Sequence, residues 1–400
     1  MKKLSARLAL YEKAGEDSTL EAPQPLEFAG FPMHSVARGV YARREEHADF
    51  RIGEASFSDH VPLQLSGILE LGLAQNPEAL HPEDVLILDT ETTGLQRGPG
   101  TIPFLTGLAW FTPRGAVFEQ VLLHEMRGEA AYVDYLEAQF QRFRYLVTYN
   151  GKSFDMPLLR NRFVMHGRRQ MLPLVHFDLL HVFRRLLARR GARRQQDLEL
   201  EFLGLKREND LPGAEIPQIY FDFIRYGADR GMDRVLKHNL EDLKGLTLLL
   251  LEAIRIYQGR DTSRRALRSG IARILLRNRR VEEAEELLSE VVSLEEAPGE
   301  LRYRDLILLG RLLRGRGDYE AALGAFERAV AEYACPFARM SATRLREHRL
   351  RDFAGALRET ETMLCESRSA TARAVPYLYT EQELLHRKHR LERRLLRQNT

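Results

Sequence analysis

Four consecutive apolar residues, Val85-Leu86-Ile87-Leu88, run straight into Asp89-Thr90-Glu91. A short apolar run of this kind reads as a strand buried on both faces. A buried strand ending in two acids constrains the chain strongly, because a carboxylate taken from water must be paired, protonated or bound to a cation. Side chains at i and i+2 share one side of a strand, so Asp89 and Glu91 are expected to point the same way. They stand at the strand's C-terminal end, where open α/β sheets place their ligands.

The flanking pattern supplies such a sheet. Residues 104–111 and 116–124 read as two further strands joined by the Pro113-Arg114-Gly115 turn. Helical periodicity over 129–143, a buried strand at 145–149, a helix over 157–166 and a strand at 174–177 follow. A basic helix over 179–190 and a long apolar helix over 232–257 complete the segment. Meandering strands followed by alternating helices and strands predict an α/β fold with a mixed sheet flanked by helices.

Two more acids occupy matching places. Asp155 ends Asn150-Gly151-Lys152-Ser153-Phe154-Asp155, directly after a buried strand, and Asp242 lies on the long helix four residues after His238. Residues at i and i+4 share a helix face. Four gathered carboxylates suit phosphodiester hydrolysis, in which two divalent ions about 4 Å apart ionise the attacking water and stabilise the leaving oxygen. An all-oxygen set without cysteine favours Mg²⁺ or Mn²⁺ over zinc. Asp178, flanked by His176 and His181, reads either as a spare ligand or as a carboxylate capping the basic helix.

A chain of 400 residues exceeds one ordinary domain. We expect an N-terminal extension over 1–80 with a short strand at Phe50-Arg51-Ile52, a catalytic α/β domain over 81–259, and an all-helical domain over 260–400. In the last, Ala284, Ala322 and Ala356 recur at tetratricopeptide-like offsets, and the middle unit also carries Leu309-Gly310, Gly317-Asp318-Tyr319, Phe326 and Ala329. Gln258-Gly259-Arg260-Asp261 reads as a linker, and 381–397 as a final basic helix.

The net charge of +3 is small, but between Arg142 and Arg194 there are 13 Lys/Arg against only Asp155 and Asp178. Such a stretch suits phosphate contact. Arg184, Arg185, Arg189 and Arg190 are its candidate nucleic-acid-binding residues, with Thr93, Asn150, Lys152 and Phe154 nearer the acids. Phe154 reads equally as a base-stacking platform or a core residue. No apolar run approaches the roughly 20 residues of a membrane span, and no leader pattern is evident at the start. The expected setting is cytoplasmic, with no membrane partner. Cys335 and Cys365 are read as buried thiols of a reducing compartment.

These motifs resemble a known family. Asp89-Thr90-Glu91-Thr92-Thr93-Gly94-Leu95 is similar to the first motif of the DEDD 3′–5′ exonucleases. Asn150 to Asp155 with Pro157 resembles the second, in the form seen in proofreading domains of family B DNA polymerases, and His238 with Asp242 resembles the third. The chain also resembles YprB-type bacterial proteins through Tyr149 to Asp155, His176-Phe177-Asp178-Leu179-Leu180-His181 and His238-Asn239. That resemblance implies a ribonuclease H-like sheet followed by tetratricopeptide-like repeats. It further implies metal ligation by Asp89, Glu91, Asp155 and Asp242, with His238 as general base. One departure concerns His238, which lies one residue closer to the last aspartate than in the family's histidine subtype. One helical step is about 100° of rotation, so a second reading makes it a supporting hydrogen-bonding residue. The activity implied is a metal-dependent 3′–5′ exonuclease on single-stranded DNA or RNA, with repeats that bind a partner protein or guide the strand. The alternatives are an inactive nuclease fold acting as a repeat-domain scaffold and a structure-specific endonuclease.

Overall fold

The computed structural model describes residues 25–60, 67–72, 80–94, 100–168, 174–188, 193–208, 210–227, 229–259, 264–294, 299–368 and 379–398. It divides into two compact units. One runs to Arg184 and from Arg190 to Gly259; the other comprises Arg185–Arg189 and Arg260 onward.

In the first unit the strands are β1 (Leu26–Phe28), β2 (Phe31–Ala37), β3 (Val40–His47), β4 (Arg51–Ile52), β5 (Ala55–Ser56), β6 (Val85–Thr92), β7 (Pro103–Thr112), β8 (Gly115–Leu123), β9 (Tyr145–Thr148) and β10 (Val175–Asp178). The helices up to the unit boundary are α1 (Gly67–Gly72), α2 (Glu129–Phe140), α3 (Asp155–Met165), α4 (Leu179–Leu186), α5 (Gln195–Leu203), α6 (Ile216–Tyr226) and α7 (Met232–Gly259). Among the described residues eight strands form one mixed sheet in the order β1-β2-β3-β8-β7-β6-β9-β10, while β4 and β5 form a separate hairpin. Strand β6 pairs antiparallel with β7 and parallel with β9. It therefore lies where the meander meets the parallel half, with Val85 to Leu88 fully buried.

The expected division at residue 80 does not follow the sheet. Strand β3 pairs with β8 along its whole length, Val40 opposite Leu123 through His47 opposite Ala116. The strand carries the charged run Arg43-Arg44-Glu45-Glu46. In the fold, Arg44 donates to Glu119 at 2.7 Å and Arg43 to Gln120 at 3.3 Å, both acceptors on β8. A cross-strand partner so distant in sequence leaves no local trace.

Helix α7 is buried along most of its length and crosses against β6, β7 and β8. The close approach depends on Gly107 of β7. A Cβ there would lie 2.5 Å from Asn239 Oδ1 and 2.6 Å from Leu243 Cδ1.

The described part of the second unit is all-helical: α8 (Arg265–Arg277), α9 (Val281–Ser293), α10 (Glu300–Arg316), α11 (Tyr319–Tyr333), α12 (Pro336–Leu345), α13 (Phe353–Arg368) and α14 (Glu381–Gln398). Ala284, Ala322 and Ala356, all fully buried, stand near the starts of α9, α11 and α13. A Cβ on Gly310 would meet the Phe326 ring at 2.8 Å, so small residues set the approach of α10 and α11. The thiols depart from expectation: Cys365 is exposed and Cys335 half-buried. Gln258 and Gly259 finish α7 rather than opening a linker; residues 260–263 lie outside the described residues.

Candidate metal centre

The end of β6 presents Asp89 and Glu91 to α7. Asp89 Oδ2 accepts from Asn239 Nδ2 at 2.9 Å, and Glu91 Oε1 lies 3.8 Å from His238 Nε2. Neighbouring helix residues thus meet the two acids of one strand side. Asn239 is itself held, because its Oδ1 accepts from Gln120 Nε2 at 3.0 Å. Opposite Asp89 in register stands Gly107, the residue whose missing side chain leaves room for Asn239.

Asp155, the first residue of α3, is brought in by the loop after β9. Its Oδ1 accepts from Thr90 Oγ1 at 2.5 Å. Asp178 shapes that loop: Oδ1 accepts from Asn150 N at 2.8 Å and Leu180 N at 3.1 Å, and Oδ2 from Lys152 N at 3.1 Å. The carboxylate therefore ties the loop to the start of α4, which is the capping arrangement.

Asp242 extends one oxygen, Oδ2, to 3.5 Å from His238 Nε2. Its other oxygen, Oδ1, is 2.5 Å from Arg207 NH1. Arg207 is buried and held by a second acid, Glu199, through Nε at 2.9 Å and NH2 at 2.8–2.9 Å. Gln195 Nε2 donates to Glu199 Oε1 and to the Asp242 carbonyl at 2.8 and 2.9 Å. His238 Nδ1 is 2.7 Å from Asp210 Oδ1. The other ring nitrogen, Nε2, faces Glu91 and Asp242.

The electrostatics are those of a site short of positive charge. Burial, then the charges of Asp242 and Asp155, push Asp89 well above the ordinary carboxylate range. Burial, then Asp89, Asp242, Asp155 and Asp210, do the same to Glu91. Burial raises Asp155 to about 6, against the pull of the Thr90 hydrogen bond. Glu91, His238 and Asp242 each offer a ligand atom within 4.8 Å of the others. Oxygen donors joined by one imidazole nitrogen fit a divalent cation, whose charge would relieve this repulsion.

The other expected site residues are placed as follows. Thr93 is buried, and its hydroxyl accepts from Ile102 N at 2.9 Å. Asn150 holds the left-handed backbone with φ of 59°. Lys152 is exposed and Phe154 half-buried. Arg184 and Arg185 are half-buried and engaged within the protein; Arg189 and Arg190 lie outside the described residues. Much of the basic stretch is spent on the fold. Arg162 pairs with Glu129, Arg168 with Asp134, Arg193 with Glu201 and Arg194 with Asp197. Glu129 and Asp134 lie more than thirty residues from the arginines they pair with, whereas Glu201 and Asp197 lie within eight of theirs.

Sequence reasoning missed Arg207, Asp210, Glu199 and Thr90. Their signal was faint: a run of charges from Lys206 to Asp210 between two helices, and a threonine between two acids.

Residues 86–254 match the model of the RNase_H superfamily. Over 174 residues the chain is 36% identical to "Uncharacterized protein YprB" of Bacillus subtilis (strain 168), a match spanning 43% of this chain and 42% of that one. The chain thus covers less than half the length of this curated relative. The family B DNA polymerase of the hyperthermophilic archaeon Pyrobaculum calidifontis superposes with a TM-score of 0.33 and 16% identity, over 52% of this chain and 29% of that chain. The matched segment, 86 to 254, contains every residue of the carboxylate cluster.

Proposed function

We propose that the chain is a divalent-metal-dependent nuclease that hydrolyses phosphodiester bonds, working from the 3′ end of single-stranded DNA or RNA. One observation carries the reading: Asp89 and Glu91, half-buried at the end of β6, gather with the buried Asp155 and with Asp242 in a place where burial and mutual repulsion both oppose their charge. Two bound ions would supply the ionised water and stabilise the leaving oxygen. The chain's own part is to aim the carboxylates, through Asn239, Thr90 and Arg207, and to hold His238 Nε2 open as a proton acceptor by fixing Nδ1 on Asp210. We assign the helical unit, with its tetratricopeptide-like register of small residues, to binding a partner protein or guiding the strand.

End-labelled single- and double-stranded DNA and RNA, incubated with Mn²⁺ or EDTA, test this. Mn²⁺-dependent release of 3′ nucleotides is the expected result. Cleavage of a circular single strand would make the enzyme an endonuclease. Metal binding without any cleavage would leave an inactive scaffold.

His238→Ala should cut turnover by about 10²–10⁴-fold while the protein keeps its Mn²⁺-induced gain in melting temperature. The Glu91–His238–Asp242 grouping favours a second reading, in which Nε2 is itself a ligand. Under that reading the thermal response to Mn²⁺ falls together with turnover, so the two measurements separate a base from a ligand.

A further inference from the structure

A cleft of about 430 Å³ opens beside His238 and Asp210. Its walls come from three separate parts of the first unit. The β4–β5 hairpin supplies Arg51, the loop after α5 supplies Lys206, and the first turns of α7 supply Arg234 and Lys237. All four are exposed. Arg234 lies four residues, about 6 Å along the axis, before His238.

These cations differ from the arginines of the 142–194 stretch in being unspent. Among the described residues the side chains of Lys206 and Arg234 form no ion pair or hydrogen bond. Arg51 only donates to the Glu54 carbonyl, at 3.2 Å, and Lys237 reaches Glu241 at 3.8 Å. Two acids, Glu208 and Glu241, share the cleft. Asp210 is occupied with His238, and Arg207 with the buried carboxylates. The solvent-facing balance is therefore positive, next to a cluster that is strongly negative. A polyanion approaching the carboxylates is repelled by them and needs cations at its point of entry.

We propose that this cleft seats the backbone of a single strand at the nucleotides next to the scissile phosphate, with Lys206, Arg234 and Lys237 as phosphate contacts. The proposal rests on the nuclease reading and narrows it. The volume is near the small end of ligand sites; it takes a short run of single strand and not a duplex with its second row of phosphates. Cations from three segments around one opening follow a chain of phosphates better than a lone anion, which a single pair would hold.

The test is fluorescence anisotropy of a 5′-fluorescein single-stranded oligonucleotide with the whole chain in Ca²⁺, titrated against KCl. The comparison variant is Lys206→Ala/Arg234→Ala/Lys237→Ala. The wild type should bind with a salt slope that the variant flattens by about 0.7 for each lost contact, while the Mn²⁺ thermal response stays unchanged because no ligand is touched. If the wild type binds and the variant matches it in affinity and slope, the cleft is not the path, although the nuclease reading survives. If a blunt duplex binds as tightly as the single strand and loses the same slope, the single-strand assignment is overturned. If the wild type binds no oligonucleotide of either kind, the nuclease reading fails and this inference with it.

Discussion

Asp89→Asn should abolish cleavage and yet raise the melting temperature of the metal-free protein. Asp89 is half-buried, and desolvation together with Asp242 and Asp155 disfavours its charge. Its one direct support is the hydrogen bond from Asn239, at 2.9 Å. An asparagine can present its carbonyl oxygen to the same donor, so the contact survives while one of several repelling charges goes. Relief of this kind commonly contributes about 0.5–2 kcal/mol, or a few degrees in a domain of this size. The opposite holds once an ion is present. A ligand that binds only the folded state at about a hundred times its dissociation constant adds roughly 2.7 kcal/mol to the wild type, and the variant should forfeit most of it. Turnover should fall further than for His238→Ala, by more than about 10⁴-fold, because loss of the ion removes both the activated water and the stabilised leaving group. Scanning fluorimetry in EDTA and in Mn²⁺ decides the matter. A variant that melts below the wild type in EDTA and gains as much from Mn²⁺ would mean that Asp89 is structural.

What the sequence disclosed and what it hid have separate physical causes. The apolar run of β6 and its two acids were legible because strand periodicity and burial are local properties. The same holds for β7 to β10 and for the long helix α7, whose apolar pattern extends well beyond the i, i+4 pair of His238 and Asp242. Strand β3 was hidden because two of its charged side chains find their cross-strand partners, Arg43 at Gln120 and Arg44 at Glu119, on β8, more than seventy residues away. Arg162 and Arg168 show the same effect: a sequence window counts their charges without Glu129 and Asp134, the distant acids that pair with them. Around the metal centre, the carboxylates announced themselves by position, whereas the groups that aim them did not. Asn239 and Gln120 become polar contacts only when β6, β8 and α7 are packed together, and Thr90 only when the start of α3 meets β6. Asp210 becomes the partner of His238 only because the loop between α5 and α6 folds back across the start of α7.

Arg207→Met should be the most destabilising single substitution in the α/β unit. The guanidinium is buried between Asp242 Oδ1, at 2.5 Å, and Glu199, which it grips through two nitrogens. Burial works against its charge, but Asp242 and Glu199 hold the group above its ordinary pKa. Removing one partner of a buried pair leaves the other charge uncompensated, at a cost of about 3–5 kcal/mol. Glu199 has no other place to go. It is fully buried, and a Cβ on Gly245 would stand 2.0 Å from its Oε1, so helix α7 closes over it. The deficit should grow with pH. Burial already raises Glu199 from 4.5 to about 7 with Arg207 beside it. A carboxyl whose folded value exceeds its unfolded one takes up a proton on folding, so stability declines as pH rises from the unfolded value to the folded one. Without the arginine the folded value climbs again and the declining window extends upward, making the variant relatively weaker at pH 8 than at pH 6. Arg207→Lys, which keeps the charge but not the forked geometry, should fall between the two. Arg207→Met/Glu199→Gln should recover part of the loss and most of the added pH dependence. Urea unfolding of the four proteins at both pH values measures all of this. If Arg207→Met unfolds within about 0.5 kcal/mol of the wild type, Arg207 is not holding the Asp242–Glu199 pair, and the orientation of Asp242 must come from the α7 backbone alone.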